Sequence, residues 1–115
     1  MSDSILETVR HMVGGGEEHE HFDTDLIIYT NSAIASLRRL GIGPLEGFSI
    51  TGTDESWSDL LGDEKPELFE QAKSYVVLKT KQMFDPPTTG ATKEALQANL
   101  NELEYNLNGT YEVDL

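Results

Sequence analysis

The stretch FDPP at residues 84–87 constrains the fold of this chain more than any other part of its sequence. Before it, apolar residues recur every three or four positions over residues 66–84, which predicts a long helix. A proline ring cannot sit in a helix interior and biases the preceding residue toward an extended conformation, so this helix has to end before Pro86. Leucines then repeat at helical spacing, which predicts a last helix over residues 92–108 with Thr92 as its cap. We therefore expect a rigid corner that folds two helices into a close antiparallel pair.

The remainder of the chain is also predicted to be mainly helical. Apolar periodicity indicates helices over residues 3–13 and 23–40, and Ser56 is placed to cap a helix of one or two turns. Between them, glycines and a proline bracket the β-prone run at residues 48–51, which predicts a short strand or a small hairpin-like excursion. The predicted fold class is all-α, a small bundle of about four helices with a short β excursion between the second and third helices.

The length of 115 residues suits a single domain with one modest core. Within it we distinguish an N-terminal helix with a flexible acidic linker (1–21), a helical domain (22–109) and an extended tail (110–115). The tail is expected to be extended because apolar and polar residues alternate in it, after a glycine that suits the end of a helix.

The charge of the chain limits the partners it can have. There are 21 acidic and 8 basic residues, for a net charge of −13. Proteins that bind nucleic acid directly need a cationic surface for the phosphates, so tight binding of this kind is not expected. There is no cysteine, no secretory signal and no apolar run of the ~18–20 residues that cross a bilayer, so we expect a soluble, cytoplasmic protein without membrane contact.

No pattern in the sequence predicts a catalytic, cofactor or metal site. His19 and His21 alternate with glutamates, but a metal site needs three or four rigidly held ligands and this run follows three glycines. A solvated linker is the favoured interpretation of that segment. P-loop, dinucleotide-binding, zinc-protease, EF-hand and nucleophile-elbow patterns are not found, so we predict that the protein is not an enzyme and carries no cofactor.

Several segments of the chain follow one another in an order that resembles a known protein family. The chain presents DTDLIIYTNSAIASLRRLGIGP, then GFSITG, then SWSDLLG, and finally SYVVLKTKQMFDPPTTGATKEALQANLNELEYNLN. Over about residues 22–108 this succession resembles the head–tail connector, or adaptor, family of tailed bacteriophages. The resemblance implies a small all-helical subunit without catalytic residues that forms a homo-oligomeric ring beneath the portal. The implied location is the neck of the virion, after a stage in the host cytoplasm.

The resemblance also implies partners and surfaces. The partners are the portal protein and a completion or stopper protein on the tail side, and DNA is only a passing cargo, repelled by acidic side chains. We expect partners to dock on the loop at residues 41–55 and on the tail. The predicted partner-binding residues are Ile42, Pro44, Phe48, Ile50, Tyr111, Val113 and Leu115, and the predicted channel-lining residues are Glu94, Glu102 and Glu104.

A second hypothesis comes from the charge alone. An acidic binding module, such as a DNA mimic, would occupy the basic groove of a nucleic-acid-binding protein. A mimic should display carboxylates in a regular array, whereas the acidic residues here concentrate toward the two ends of the chain. The charge distribution therefore favours the connector, and the module remains the alternative.

Overall fold

Five α-helices make up the fold in the computed structural model, which describes residues 3–14, 22–62 and 64–113 and, at residues 14 and 109–113, the backbone alone. An all-α fold is therefore confirmed. The helices are α1 (Ile5–Val9), α2 (Asp23–Arg39), α3 (Trp57–Leu61), α4 (Pro66–Phe84) and α5 (Gly90–Val113), and a π-helical turn at Arg10–Gly14 continues α1.

Helices α2 and α4 have the ends that their sequences predict. Two aspartates occupy the first turn of α2 and two arginines its last turn, so both ends complement the helix dipole. Gly41, which follows the end of α2, has a φ of 90°. The Gly41 N–H donates to the Arg38 carbonyl at 2.9 Å, and the Ile42 N–H donates to the Leu37 carbonyl at 3.3 Å. This is a Schellman motif, which a glycine makes possible because a side chain at that φ would be strained. Pro66 begins α4 in the first turn, where its missing N–H has no partner to lose.

The corner between α4 and α5 forms as the two prolines predict, and α5 is longer at both ends than expected. Thr89 rather than Thr92 caps it, because the Thr89 hydroxyl accepts from the Thr92 N–H at 3.2 Å. The helix also continues to Val113, so the prediction of an extended tail over 110–115 is wrong as far as that residue; residues 114–115 lie outside the described chain. A glycine inside a helix costs only about 1 kcal/mol, whereas each further residue adds a backbone hydrogen bond, so Gly109 does not end α5.

The expected β excursion is also wrong. No strand forms in the described part of the chain, where the β-type pairing is a single isolated bridge between Ser4 and Ser56. The backbone groups of Ile50, which a strand would pair with another strand, are paired with the side chain of Asn31 instead. A side chain of α2 thus takes the place of the partner strand that β propensity led us to expect.

The isolated bridge joins the N-termini of two helices and brings α1 into the main body. The Trp57 N–H donates to the Asp3 carbonyl at 2.9 Å, and its indole N–H donates to the Thr8 hydroxyl at 3.0 Å. Ile5, Leu6 and Val9 are buried in the same core as α2 and α4. The sequence set residues 1–21 apart from the helical domain, but the helix of that segment packs as an integral part of the single core.

Three long helices run antiparallel in the order α2, α4, α5. Phe22 at the start of α2 meets Phe84 at the end of α4, with ring centroids 5.6 Å apart. Side-chain hydrogen bonds join Gln82 to Gln97 and Tyr75 to Glu104, both at 2.8 Å, so α5 returns along α4. The largest fully buried side chains are Trp57, Tyr75, Ile5, Leu6, Leu26, Leu37, Ile42, Ile50, Leu61, Leu100, Leu107 and Val9.

Candidate functional site

The loop between α2 and α3 is held in place by polar side chains. Asn31 lies part-buried on α2, where its amide donates to the Ile50 carbonyl at 3.1 Å and accepts from the Ile50 N–H at 2.7 Å. Farther along, the Glu55 carboxylate accepts from the backbone N–H and the hydroxyl of Thr51, at 3.0 and 2.7 Å. Those hydrogen bonds from Thr51 lower the pKa of Glu55 below its usual value. The loop is therefore an ordered surface and not a loose connection.

A tight turn in this loop displays one large apolar side chain. Leu45 is 86% exposed, and the guanidinium of Arg38 donates to the carbonyl oxygens of both Pro44 and Leu45. The Gly47 N–H closes the turn by donating to the Pro44 carbonyl at 3.0 Å. We call residues 44–46 the Leu45 turn. The turn therefore holds the leucine side chain in solvent.

The four predicted partner-binding residues of the loop have different environments. Ile42 and Ile50 are only 2% and 1% exposed and belong to the core, where the Schellman motif fixes the backbone of Ile42 and Asn31 fixes the backbone of Ile50. Their side chains are unavailable to a partner in this fold. Phe48 is half-buried against the core, and Pro44 is half-buried at the start of the Leu45 turn.

Sequence reasoning missed Leu45, the most exposed of the large apolar side chains described. The signal was available, because a leucine between Pro44 and Glu46 in a glycine-rich loop has no helical or strand periodicity that would bury it. The prediction chose apolar residues such as Ile42 and Ile50 instead, and these are the side chains that the core buries. For the predicted partner-binding residues of the tail, the structure describes only the helical backbone at Tyr111 and Val113. Leu115 lies outside the described residues.

The three predicted channel-lining glutamates do not share one face of α5. At about 100° per residue, Glu102 and Glu104 point roughly 200° apart. The Glu104 carboxylate faces α4, where it accepts from the Tyr75 hydroxyl at 2.8 Å and lies 4.0 Å from Nζ of Lys79. Burial and the neighbouring carboxylate together raise the pKa of Tyr75 far above its usual value. Glu94 and Glu102 are exposed to solvent, so these two acidic side chains remain candidates for a channel surface.

The Asp-Pro-Pro corner bounds a cleft on the described surface. It has a volume of about 460 Å³ and an open mouth. Four apolar side chains form its walls, and lysine, aspartate and threonine side chains surround them. The lining residues are Leu78, Lys81, Asp85, Pro86, Pro87, Thr88, Thr89, Thr92 and Leu96. We call this site the corner cleft.

The described residues were also compared with the requirements of a metal site and of a membrane span. No group of three or more histidine, aspartate and glutamate side chains is close enough to hold a metal ion within the ranges 3–14, 22–62 and 64–113. His19 and His21 lie outside those ranges. Among the helices of the described chain, none has the length and apolarity that crossing a bilayer requires.

Comparison with known protein families identifies the family of this chain. A family described as phage connector protein matches residues 5–114. No curated protein matches the chain. No solved structure matches it either. The family match spans all five helices, including α1, which lay outside the segments that carried the resemblance in the sequence.

Proposed function

Because the chain belongs to the phage connector protein family, a structural and not an enzymatic family, we propose that it forms a ring that joins the portal to the tail and surrounds the passing DNA. The observation that carries this proposal is the match over residues 5–114, which includes nearly the whole chain. The portal protein and a tail-side completion or stopper protein are the proposed partners. The assembled ring would lie in the neck of the virion.

The surface of the subunit supports assembly with other proteins. Leu45 and Tyr105 are 86% and 79% exposed, and they lie on different elements, the loop after α2 and the long helix α5. Leucine and tyrosine side chains exposed to this degree contribute little to the fold of one subunit, while aromatic residues are enriched in interfaces. A ring subunit needs such contact residues on more than one side, because each copy touches two neighbours.

The charge supports a channel that DNA passes without binding. The net charge is −13, and Glu94 and Glu102 extend into solvent from α5. Carboxylates near a phosphate backbone repel it and release no counterions, so they disfavour adhesion. We assign Glu94 and Glu102 to the channel surface, and we leave Glu104 out because its carboxylate is engaged with α4.

Light scattering after size exclusion tests the ring. The chain is measured alone and then with a purified portal ring, and an unrelated acidic protein of similar size serves as the control for charge. We expect a closed oligomer, or recruitment to the portal that the control protein does not show. A monomer that ignores the portal would contradict the proposal, and binding of that monomer to a basic nucleic-acid-binding protein would establish the acidic module instead.

A charge variant tests the channel surface separately. In the assembled ring we expect Glu94→Gln with Glu102→Gln to increase DNA retention at low salt, because two repulsive charges per subunit are removed. The matched control is Glu67→Gln with Glu70→Gln, which removes two exposed carboxylates from α4. Equal retention in both double variants would show that Glu94 and Glu102 do not line the channel.

A further inference from the structure

One face of α2 is exposed to solvent along nearly the whole helix. It consists of Asp25, Ile28, Ser32, Ala35 and Arg39, and all five residues are exposed. The intervals between them are three, four, three and four residues, so the five side chains lie within about 80° of one another around the helix. The opposite face of α2 is packed in the core. We call the five exposed residues the α2 stripe.

The spacing of the α2 stripe is typical of a face on which a second helix packs. Alternating intervals of three and four residues correspond to the a and d positions of a heptad. Ile28 supplies an apolar side chain that is 56% exposed, while Ser32 and Ala35 are small and allow a second helix to approach closely. Because α2 is already folded in the subunit, such a contact does not have to nucleate a helix.

The charges of the α2 stripe are placed symmetrically about Ser32. Asp25 lies seven residues before Ser32 and Arg39 lies seven residues after it, which is about 10.5 Å along the helix axis in each direction. The Arg39 guanidinium donates to the Ser36 hydroxyl at 2.9 Å, a neutral group that does not cancel its charge. The stripe therefore presents opposite charges at equal distances from its centre.

A second α2 stripe in the antiparallel orientation matches these charges. With a two-fold axis at Ser32, Asp25 of each copy lies level with Arg39 of the other copy, and Ile28 lies beside the small Ala35 of the other copy. A parallel pair would place like charges side by side, which is unfavourable. A patch whose two halves complement each other in this way is what a two-fold interface requires, so the charge complementarity identifies a second copy of this chain.

We propose that two copies of the chain pair through their α2 stripes in the antiparallel orientation, with Ser32 at the two-fold axis. The contact is isologous, so it closes with two copies and does not by itself extend into a ring. It is a further interface and does not depend on the proposed function. One helix face is smaller than the ~1,200–2,000 Å² of a standard interface, so the pair forms and dissociates with protein concentration.

Cross-linking at the two-fold axis tests the pairing directly, because the chain has no cysteine of its own. The variant Ser32→Cys places two thiols at the axis, and the full chain is treated with a short bismaleimide. The matched control is Ser74→Cys, the same substitution at an exposed position of α4. We expect Ser32→Cys to form covalent dimers about tenfold faster than Ser74→Cys on a denaturing gel, because proximity raises the effective concentration of the thiols.

A charge exchange tests the orientation. Asp25→Arg and Arg39→Asp each convert two attractive pairs per dimer into two repulsive pairs, so we expect each to weaken association about tenfold in sedimentation equilibrium. The combined variant restores opposite charges across the axis, and its association should return to within about threefold of the parent chain. All three variants oppose the dipole of α2, so the Tm should be lowest in the combined variant. Restored association at the lowest Tm cannot arise from a change in stability.

Each result is decisive for the pairing. Equal rates of cross-linking for Ser32→Cys and Ser74→Cys overturn it. A combined charge variant that associates as weakly as the two single variants overturns the antiparallel contact. Recruitment to the portal is measured separately, so either failure leaves the proposed ring intact. Pairing at Ser32 without recruitment to the portal supports the two-fold contact and contradicts the ring.

Discussion

Replacement of Asn31 should release the loop that carries the Leu45 turn. The Asn31 side chain makes two hydrogen bonds to Ile50, donating to the carbonyl at 3.1 Å and accepting from the N–H at 2.7 Å. In Asn31→Ala both backbone groups lose these bonds at a position where the Ile50 side chain is 1% exposed. The fold itself should survive, because Asn31 adds no apolar contact to the core cluster.

The expected loss of stability in Asn31→Ala follows from the number of hydrogen bonds that are lost. A hydrogen bond contributes about 0.5–1.5 kcal/mol net, so the loss of two should lower the free energy of unfolding by about 1–3 kcal/mol. For a domain of this size, about 1 kcal/mol corresponds to roughly 4 °C, which predicts a decrease in Tm of about 4–12 °C. Asn31→Asp can still accept from the Ile50 N–H but cannot donate to the Ile50 carbonyl at neutral pH. This variant should be destabilised as well, because its carboxylate would face the Ile50 carbonyl.

Thermal unfolding followed by circular dichroism measures the effect, and hydrogen exchange at Ile50 shows where it acts. The matched control is Ser32→Ala, the next residue on α2, whose exposed side chain should leave the Tm within about 2 °C. A Tm for Asn31→Ala equal to that of the control, with unchanged protection at Ile50, would refute the view that a side chain replaces the missing strand.

Three further perturbations test other parts of the fold. Pro86→Ala with Pro87→Ala should lower the Tm, because each proline stabilises the fold by about 0.4–1 kcal/mol through the reduced entropy of the unfolded chain. The double variant should also assemble less well in light scattering. Unchanged Tm and unchanged assembly would count against the corner as a rigid element. Tyr75→Phe should lower the free energy of unfolding by about 0.5–1.5 kcal/mol in denaturant titrations at neutral pH. Since burial raises the pKa of Tyr75 in the folded protein, the native chain should lose stability as the pH rises above about 10, where the unfolded tyrosine ionises, and this loss should be smaller in the phenylalanine variant. Leu107→Ala should lower the free energy of unfolding by about 2–5 kcal/mol because the side chain is fully buried, whereas Tyr105→Ala on the same helix should have little effect; equal Tm values would mean that α5 does not depend on this contact.

Features that depend on neighbouring residues were predictable from the sequence. The helix over residues 66–84 has the predicted bounds because Pro66 suits a helix start and Pro86 forbids continuation. The end of α2 follows from Gly41, which adopts the positive φ that a Schellman motif needs. The family resemblance was also accessible, because it depends on the order of segments along the chain.

Features that depend on distant residues were not predictable in this way. Ile42 and Ile50 were expected at a partner surface, and only the packing of the loop onto α2 shows that the core buries them. The carboxylate of Glu104 was expected in a channel, but Tyr75, 29 residues earlier, donates to it across the α4–α5 pair. Periodicity assigns a residue to a face of its helix and contains no information on what that face meets.

The sequence by itself determined the bounds of α4, the end of α2 and the sharp corner at Pro86, because proline, glycine and apolar spacing act within a few residues. Only the tertiary structure decided which loop residues are buried and that Leu45 is displayed at one end of α4 while the corner cleft opens at the other. The physical reason is that burial and exposure follow from contacts between residues far apart in the chain. A local pattern cannot specify those contacts until the helices have packed.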